Sequence, residues 1–314
     1  MYQLAYDSDL RQLRRDWESC VTALPAMLRM AESGILDKLN LKESTEKPDL
    51  MNQFTPLVLL YPQYQCEGFE EVSHELHTHA NLAHLHFLVH TFIEDRLLDG
   101  QVDLARADML LMKHMLIHGQ ALLDSLGRPD PWMTAKLNRL QENNIVSQIS
   151  RYSRDPSRTP ALRHSSIFRI ASGRASFGIL TTLALLHSQG VCRSKLRKVE
   201  NAFNCLVTGL QWLDDLDDWE EDLANHDDNL LIFTLRTTGY DMDTSPLRNC
   251  RRIALGKAIK DKGVAKFAIK QAERYMKAAS KKQRELGCIQ LSKLIEIRIS
   301  HLPLLQSNVL QGLE

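Results

Sequence analysis

The chain has 314 residues, and its 39 Lys and Arg are balanced by 39 Asp and Glu, so the formal net charge is zero. Hydrophobic residues make up 44% and charged residues 25%, which is the composition of a globular protein and excludes a disordered or collagen-like chain. A zero net charge also excludes a nucleic-acid binder that depends on bulk positive charge.

Apolar residues recur at three- and four-residue spacing along most of the chain, and no stretch alternates as a strand would. In chain order, this periodicity predicts helices over residues 8–40, 67–98, 102–126, 131–152, 161–189, 193–225, 228–238, 250–285 and 289–312. The intervening turns, such as GRPDP at 127–131, are too short to link domains. We therefore predict one all-α domain over residues 1–314, a bundle of about ten helices.

The sequence also gives expectations about the compartment. The N-terminal segment has no apolar core of a secretory signal, and the longest apolar run, FGILTTLALL from Phe177, has ten residues, too few to span a membrane. The six cysteines are scattered and form no CxxC pair, which favours reduced thiols. We expect a cytoplasmic protein without a membrane span.

The strongest functional signal is the acidic run from Asp214 to Asp228, in which nine of fifteen residues are Asp or Glu and none is Lys or Arg. A solvated acidic helix usually interleaves cations, and the preceding AFNCLVTGLQWL is apolar, so we interpret the run as a cation site. The spacing predicts Asp214, Asp218 and Asp222 along one helix face, with Asp215 beside it. Such a row suits magnesium ions shared with a phosphate.

A second acidic segment, HLHFLVHTFIEDRLLDGQ, begins at His84 and also follows an apolar helix. It contains Glu94, Asp95 and Asp99, the last two one helical turn apart. Two apolar helices with acidic ends predict two halves of one metal site, facing each other across the mouth of a cavity.

The same segment leaves a different metal chemistry open. His86, His90 and Glu94 recur one turn apart, the spacing of ligands in helical zinc or di-iron proteins. Such a site usually needs a second helix with a Glu-x-x-His pair, and the acidic run supplies only His226. These histidines are otherwise half-buried helix residues.

The segment LQWLDDLDD resembles the second aspartate-rich motif of trans-prenyl diphosphate synthases, FQxxDDxxD. Gln211, Asp214, Asp215 and Asp218 fall on its glutamine and three aspartates, with leucine in place of phenylalanine. The spacing through Asp222 also matches the second motif of terpene cyclases, although aspartates occupy its last two places.

The upstream segment FIEDRLLDGQ resembles the first aspartate-rich motif, with Asp95 and Asp99 at its ends and Arg96 in place of the second aspartate. The two motifs lie about 120 residues apart, in the expected order. The resemblance is therefore to class I isoprenoid synthases and covers residues from about 67 to 300.

This resemblance implies helices around a central apolar cavity, with both acidic motifs at its mouth binding a trinuclear magnesium cluster and the diphosphate of a prenyl substrate. The residues implied as catalytic are Asp95, Asp99, Asp214 and Asp218. The implied metal ligands are these four together with Glu94, Asp215 and Asp222.

The resemblance also implies cationic contacts for the diphosphate. Arg174 lies forty residues before Asp214, where the family places such a contact, and Arg169 is equally well placed. A surface arginine on a helix bend is the alternative for Arg174. Arg274 and Tyr275 resemble the arginine–tyrosine pair of bacterial terpene cyclases. The aromatic residues implied in the substrate cavity are Phe87, Phe92, Phe177 and Trp212.

Chain-elongating members of this group carry a basic GKRxRP-like segment near the N-terminus and an arginine pair after the first motif. Here the nearest equivalents are Arg14-Arg15 in an amphipathic helix and a lone Arg106. Because a second diphosphate then lacks an obvious cationic partner, we expect a terpene cyclase, a lyase that ionises one allylic diphosphate. Prenyl transfer between isoprenyl diphosphates and non-catalytic ligand binding are the alternatives. The family often forms helical dimers, so a homodimer is also open.

Overall fold

The computed structural model describes residues 2–23, 56–69, 72–98, 106–152, 169, 171–225, 229–239, 248–305 and 307. These residues form thirteen helices and no β-strand, which confirms the all-α prediction. In chain order the helices are α1 Tyr2–Ala23, α2 Pro56–Leu59, α3 Tyr61–Cys66, α4 His74–Leu98, α5 Arg106–Ser125, α6 Pro131–Tyr152, α7 Phe177–Ser188, α8 Arg193–Asp217, α9 Trp219–Asn225, α10 Leu230–Thr237, α11 Arg248–Asp261, α12 Val264–Glu285 and α13 Ile289–Ser300.

The predicted helix over 131–152 agrees with α6 at both ends, but two long predictions each correspond to two helices. The segment 193–225 divides at Asp218 into α8 and α9. The segment 250–285 divides at Gly263, whose left-handed φ of 69° ends α11 and begins α12. The two short helices α2 and α3 were not predicted.

The contacts between helices group the chain into two compact units, described here separately. Unit 1 contains residues 1–140 and 177–197. Helix α4 is its centre and packs against α1, α3, α5 and α7. Helix α7 is buried on several sides because its sequence, FGILTTLALLHS, is apolar around nearly the whole circumference.

Unit 2 contains residues 141–176 and 198–314, with α12 packed against α10, α11 and α13. The buried face of α12 includes Ala265, Ala268, Ala272 and Ala279, and these small side chains permit close helix packing. Gly209 of α8 lies against this face, where an added Cβ would be 2.6 Å from Met276 Cγ and 3.1 Å from the Ala272 carbonyl oxygen. The single domain over 1–314 stays a prediction.

The structure also bears on the cysteines and on membrane-spanning segments. Five of the cysteines are free thiols: Cys20, Cys66, Cys192, Cys205 and Cys288. Within the described ranges no helix is both long and apolar enough to cross a membrane.

Candidate active site

The acidic run lies in unit 2, at the junction of α8 and α9. Asp218 occupies a bend between the two helices, although the backbone bonds Asp218 N–H to Asp214 O and Asp222 N–H to Asp218 O are both kept at 2.9 Å. The carboxylates of Asp214 and Asp218 are exposed, whereas those of Asp215 and Asp222 are buried. Asp222 therefore does not share the solvent exposure of Asp214 and Asp218.

Asp215 is enclosed in protein, with only 2% of its surface exposed. Its Oδ2 accepts the Leu230 backbone N–H at 2.6 Å, and its Oδ1 accepts the Gln211 side-chain amide at 2.6 Å. Burial raises the pKa of Asp215 to about 6, while the charge of Arg174 and these two hydrogen bonds oppose the rise. Both oxygens are thus already bonded within the protein.

Asn229 explains why Asp222 turns inward, and sequence reasoning missed it. Its side-chain amide donates to Asp222 Oδ2 and to the Asp215 carbonyl oxygen, both at 2.7 Å. Its own side-chain oxygen accepts the N–H groups of Leu231 and Ile232, which caps α10. An asparagine directly before the apolar run LLIF is a cap signal that the sequence contains. Its bonds to the Asp222 carboxylate, seven residues away, and to the Asp215 backbone carbonyl, fourteen residues away, are tertiary contacts.

Arg174 lies in the same unit, close enough to Asp215 for its charge to lower the pKa of that carboxyl. Its backbone position is fixed from α6, where the Asn144 amide donates to the Arg174 carbonyl oxygen at 2.7 Å. The neighbouring Gly173 permits this approach, because an added Cβ would lie 1.9 Å from Ser147 Oγ. The structure therefore brings Arg174 to the second acidic motif, as its proposed role requires.

The donor atoms decide which residues fit magnesium. Mg²⁺ is commonly held by one or two carboxylates together with water and substrate phosphate oxygens. Asp214 and Asp218 fit this pattern, because both are exposed and one helical turn apart. Asp215 and Asp222 fit poorly, because their oxygens bind Leu230, Gln211 and Asn229. Among the residues that the structure describes, no group of three or more His, Cys, Asp or Glu could hold a metal by protein ligands alone.

The first acidic motif lies in unit 1, at the C-terminal end of α4. Glu94 and Asp95 are half-buried there, and burial followed by the charge of Asp95 raises the pKa of Glu94. Arg96, in place of an aspartate, stacks its guanidinium 5.2 Å from the centre of the Phe92 ring. Asp99 lies outside the described residues.

The remaining predicted residues occupy varied surroundings. Arg169 is exposed, and Arg274 is exposed on α12 next to the half-buried Tyr275. Burial raises the pKa of Tyr275, and the Arg274 charge opposes this effect. The predicted cavity residues Phe87 and Phe177 contact each other within unit 1, with ring centres 5.4 Å apart.

Trp212 belongs to unit 2, where its buried ring packs edge-on against Phe267 at 5.8 Å.

Two histidines of α4, His86 and His90, contact neighbouring helices. His86 Nδ1–H donates to the Leu82 carbonyl at 2.7 Å, and His86 Nε2 lies 3.1 Å from His118 Nδ1 of α5. His90 packs against Phe177, with ring centres 6.4 Å apart.

No protein-family model and no curated protein sequence matches the chain. Several solved structures match the chain. Geranylgeranyl pyrophosphate synthetase from Geoglobus acetivorans matches with a TM-score of 0.63 and 17% identity, over 88% of this chain and 99% of that one. Octaprenyl pyrophosphate synthase from Helicobacter pylori matches with a TM-score of 0.63 and 14% identity, over 94% of this chain and 99% of that one. Polyprenyl synthase from Caulobacter crescentus, complexed with calcium and isoprenyl diphosphate, matches with a TM-score of 0.58 and 14% identity. The match covers 86% of this chain and 96% of that one.

The chain therefore has the all-α class I isoprenoid synthase fold, as the two acidic motifs implied. The expectation of a terpene cyclase is wrong, because these structures are prenyl diphosphate synthases, which corresponds to the stated alternative. That expectation rested on the lack of a GKRxRP-like segment near the N-terminus and of an arginine pair after the first motif. Gln211, which matches the glutamine of the prenyl synthase motif and bonds both Asp214 and Asp215, was the better signal.

Proposed function

We propose that the protein is a magnesium-dependent prenyl diphosphate synthase that joins an allylic prenyl diphosphate to a second isoprenyl diphosphate. The observation that carries the proposal is the second acidic motif: exposed Asp214 and Asp218 stand one turn apart beside the buried Asp215, which Gln211 hydrogen-bonds. The shared fold with prenyl diphosphate synthases supports it.

In this proposal Asp214 and Asp218 are the residues of unit 2 that would hold Mg²⁺ together with the substrate diphosphate. Asp95 and Asp99 are the metal-binding candidates of the first motif. When bound, the metal neutralises the negative charge that develops on the leaving diphosphate. Asp215 is a positioning residue, because its bonds to Leu230 and Gln211 hold the motif against the start of α10. The pairing of Gln211 with both Asp214 and Asp215 fixes the direction in which the exposed carboxylate of Asp214 points.

The overall reaction balances as follows. The allylic carbon–oxygen bond breaks, diphosphate leaves with the electron pair, and the double bond of the second substrate attacks the allylic carbon. A new carbon–carbon bond forms, and loss of one proton restores a double bond. Arg174 is assigned to the diphosphate, with Arg169 as a further candidate. Arg274, exposed on α12, and the neighbouring Tyr275 are not given this role. Apolar side chains would exclude water from the cation. The candidates of unit 1 for this role are Phe87, Phe92 and Phe177, and Trp212 is the candidate of unit 2.

The test is an assay with magnesium and geranyl, farnesyl or geranylgeranyl diphosphate, each with and without isopentenyl diphosphate. We expect a lengthened prenyl diphosphate only when isopentenyl diphosphate is present, and no turnover with EDTA. Asp214→Asn should reduce turnover by more than the roughly 100-fold that loss of an outer metal contact can cost. Asp217→Asn, the same change at an exposed carboxylate three residues along, is the matched control and should keep most activity.

One observation favours a second candidate, a helical binding protein without turnover. Arg96 stands where the first motif has an aspartate, and its guanidinium lies over Phe92, so this half of the site has one carboxylate fewer. This second candidate would be supported if no assay gave a product and if EDTA did not change the binding of prenyl diphosphate.

A further inference from the structure

Helix α12 has a row of cations on its outer face. It contains seven Lys and Arg but only two acidic residues, Glu273 and Glu285, although the whole chain is neutral. Six of the cations are spaced by three or four residues, which places them within an arc of about 80° along about 27 Å of helix. All six are exposed, and we call them the cationic row: Lys266, Lys270, Arg274, Lys277, Lys281 and Arg284.

Little of this charge is neutralised within the protein. Lys277 pairs with Glu273 at 2.6 Å, and Arg284 pairs with Glu296 of α13. Among the described residues, no carboxylate forms a salt bridge with Lys266, Lys270 or Lys281. Like charges one turn apart destabilise a helix, and an ordinary solvated face would interleave acids. The cationic row therefore has the character of a surface for an anionic partner.

The surroundings of the row favour a lipid surface over a nucleic acid. Phe267, at its edge and next to Lys266, is 38% exposed, and its ring is supported from behind by the edge contact with buried Trp212. An aromatic ring beside lysines suits the boundary between lipid headgroups and acyl chains. Lysines outnumber arginines in the row, and no Asn or Gln lies on its face, so it lacks the side chains that read base edges.

We propose that the cationic row of α12 docks the protein on anionic phospholipid bilayers. A straight helix face presents all six cations to a plane at once, and clusters of four to eight Lys and Arg on an amphipathic helix are typical of binding to anionic lipids. The protein binds as a peripheral protein, with the lysines at the headgroups and Phe267 at the flank of the row. This inference goes beyond the proposed reaction and does not depend on it.

The test is co-sedimentation of the full chain with vesicles of phosphatidylcholine alone, or of equal parts phosphatidylcholine and phosphatidylglycerol. The row variant is Lys266→Gln/Lys270→Gln/Lys281→Gln. The control variant, Lys113→Gln/Arg197→Gln/Lys198→Gln, loses the same charge from exposed positions on α5 and α8. We expect binding only to the anionic vesicles, weakened by salt, and on the order of 100-fold lower in the row variant.

The control variant should lose less than about tenfold, since its cations lie off the row. A third variant with arginine at the three row positions should bind like the parent, and melting curves check that all variants fold. Equal losses in the row and control variants, or no binding of the parent to anionic vesicles, would overturn the proposal. Retention on double-stranded DNA without vesicle binding would overturn it in favour of a nucleic-acid partner.

Discussion

Acid should destabilise unit 1 through a histidine pair between α4 and α5 in which His86 is buried, and His86→Gln tests this. His86 is 2% exposed, and burial lowers its pKa from the ordinary 6.5 to about 4. Its Nδ1–H donates to Leu82 O, so its Nε2 is the acceptor for His118 Nδ1–H. A second proton on His86 would turn its Nε2 from an acceptor into a donor, so this bond would persist only if His118 moved its own proton from Nδ1 to Nε2.

The direction and the size of this effect on the free energy of unfolding follow from the difference between the folded and unfolded pKa values of His86. Because the folded pKa is lower than the unfolded one, the unfolded chain binds the proton more readily below pH 6.5. The contribution of His86 to the free energy of unfolding is complete above pH 6.5 and is lost as the pH falls towards 4. The full difference is about 3 kcal/mol, of which about 2 kcal/mol is lost by about pH 5. His84, also buried with its pKa lowered to about 4, adds a similar loss.

The assay is urea unfolding followed by circular dichroism at about pH 7.5 and about pH 5. His86→Gln should lower stability at the higher pH by about 1 kcal/mol, because hydrogen bonds are lost. The difference in stability between the two pH values should shrink by about 2 kcal/mol relative to the parent. His301→Gln, at an exposed histidine after α13, controls for loss of a histidine. An unchanged pH difference in His86→Gln would refute the reasoning.

Three further predictions concern unit 2. Asn229→Ala removes the α10 cap and the bond to Asp222, so the free energy of unfolding should fall by about 2–4 kcal/mol in urea; a loss below 1 kcal/mol would contradict the bridging role. Arg174→Ala should lower kcat/KM for the allylic diphosphate at least about tenfold with an unchanged circular dichroism spectrum, and a normal rate would remove it from the site. Gly209→Ala should cost about 1–3 kcal/mol, and Met276→Ala in the same chain should recover part of this in calorimetry; no recovery would show that the Ala272 backbone is the obstacle.

Periodicity was sufficient to predict the fold class, because most helices have one apolar face, and α6 was predicted with both ends correct. It failed at helix breaks that periodicity does not record. At Gly263 the left-handed glycine was a visible signal that was passed over. At Asp218 the backbone hydrogen bonds continue through the bend, so no turn residue marks it.

The acidic site was predicted as a set of residues but not as a geometry. Spacing placed Asp214, Asp218 and Asp222 on one face, since it assumes a straight helix. The burial of Asp222 depends on Asn229, and the burial of Asp215 on the N–H of Leu230. Both contacts arise when α10 folds back on the end of α8, which no local pattern specifies.

The contacts that hold this acidic turn have a consequence for the order of folding. Asn229, Asp222, Asp215 and Leu230 meet across at most fifteen residues of chain. Gly209 and Met276, where α8 meets α12, are separated by sixty-seven residues. Closing the shorter loop costs less chain entropy, and local contacts generally form sooner. The carboxylates of the second motif should thus reach their final arrangement before the long helices of unit 2 have paired.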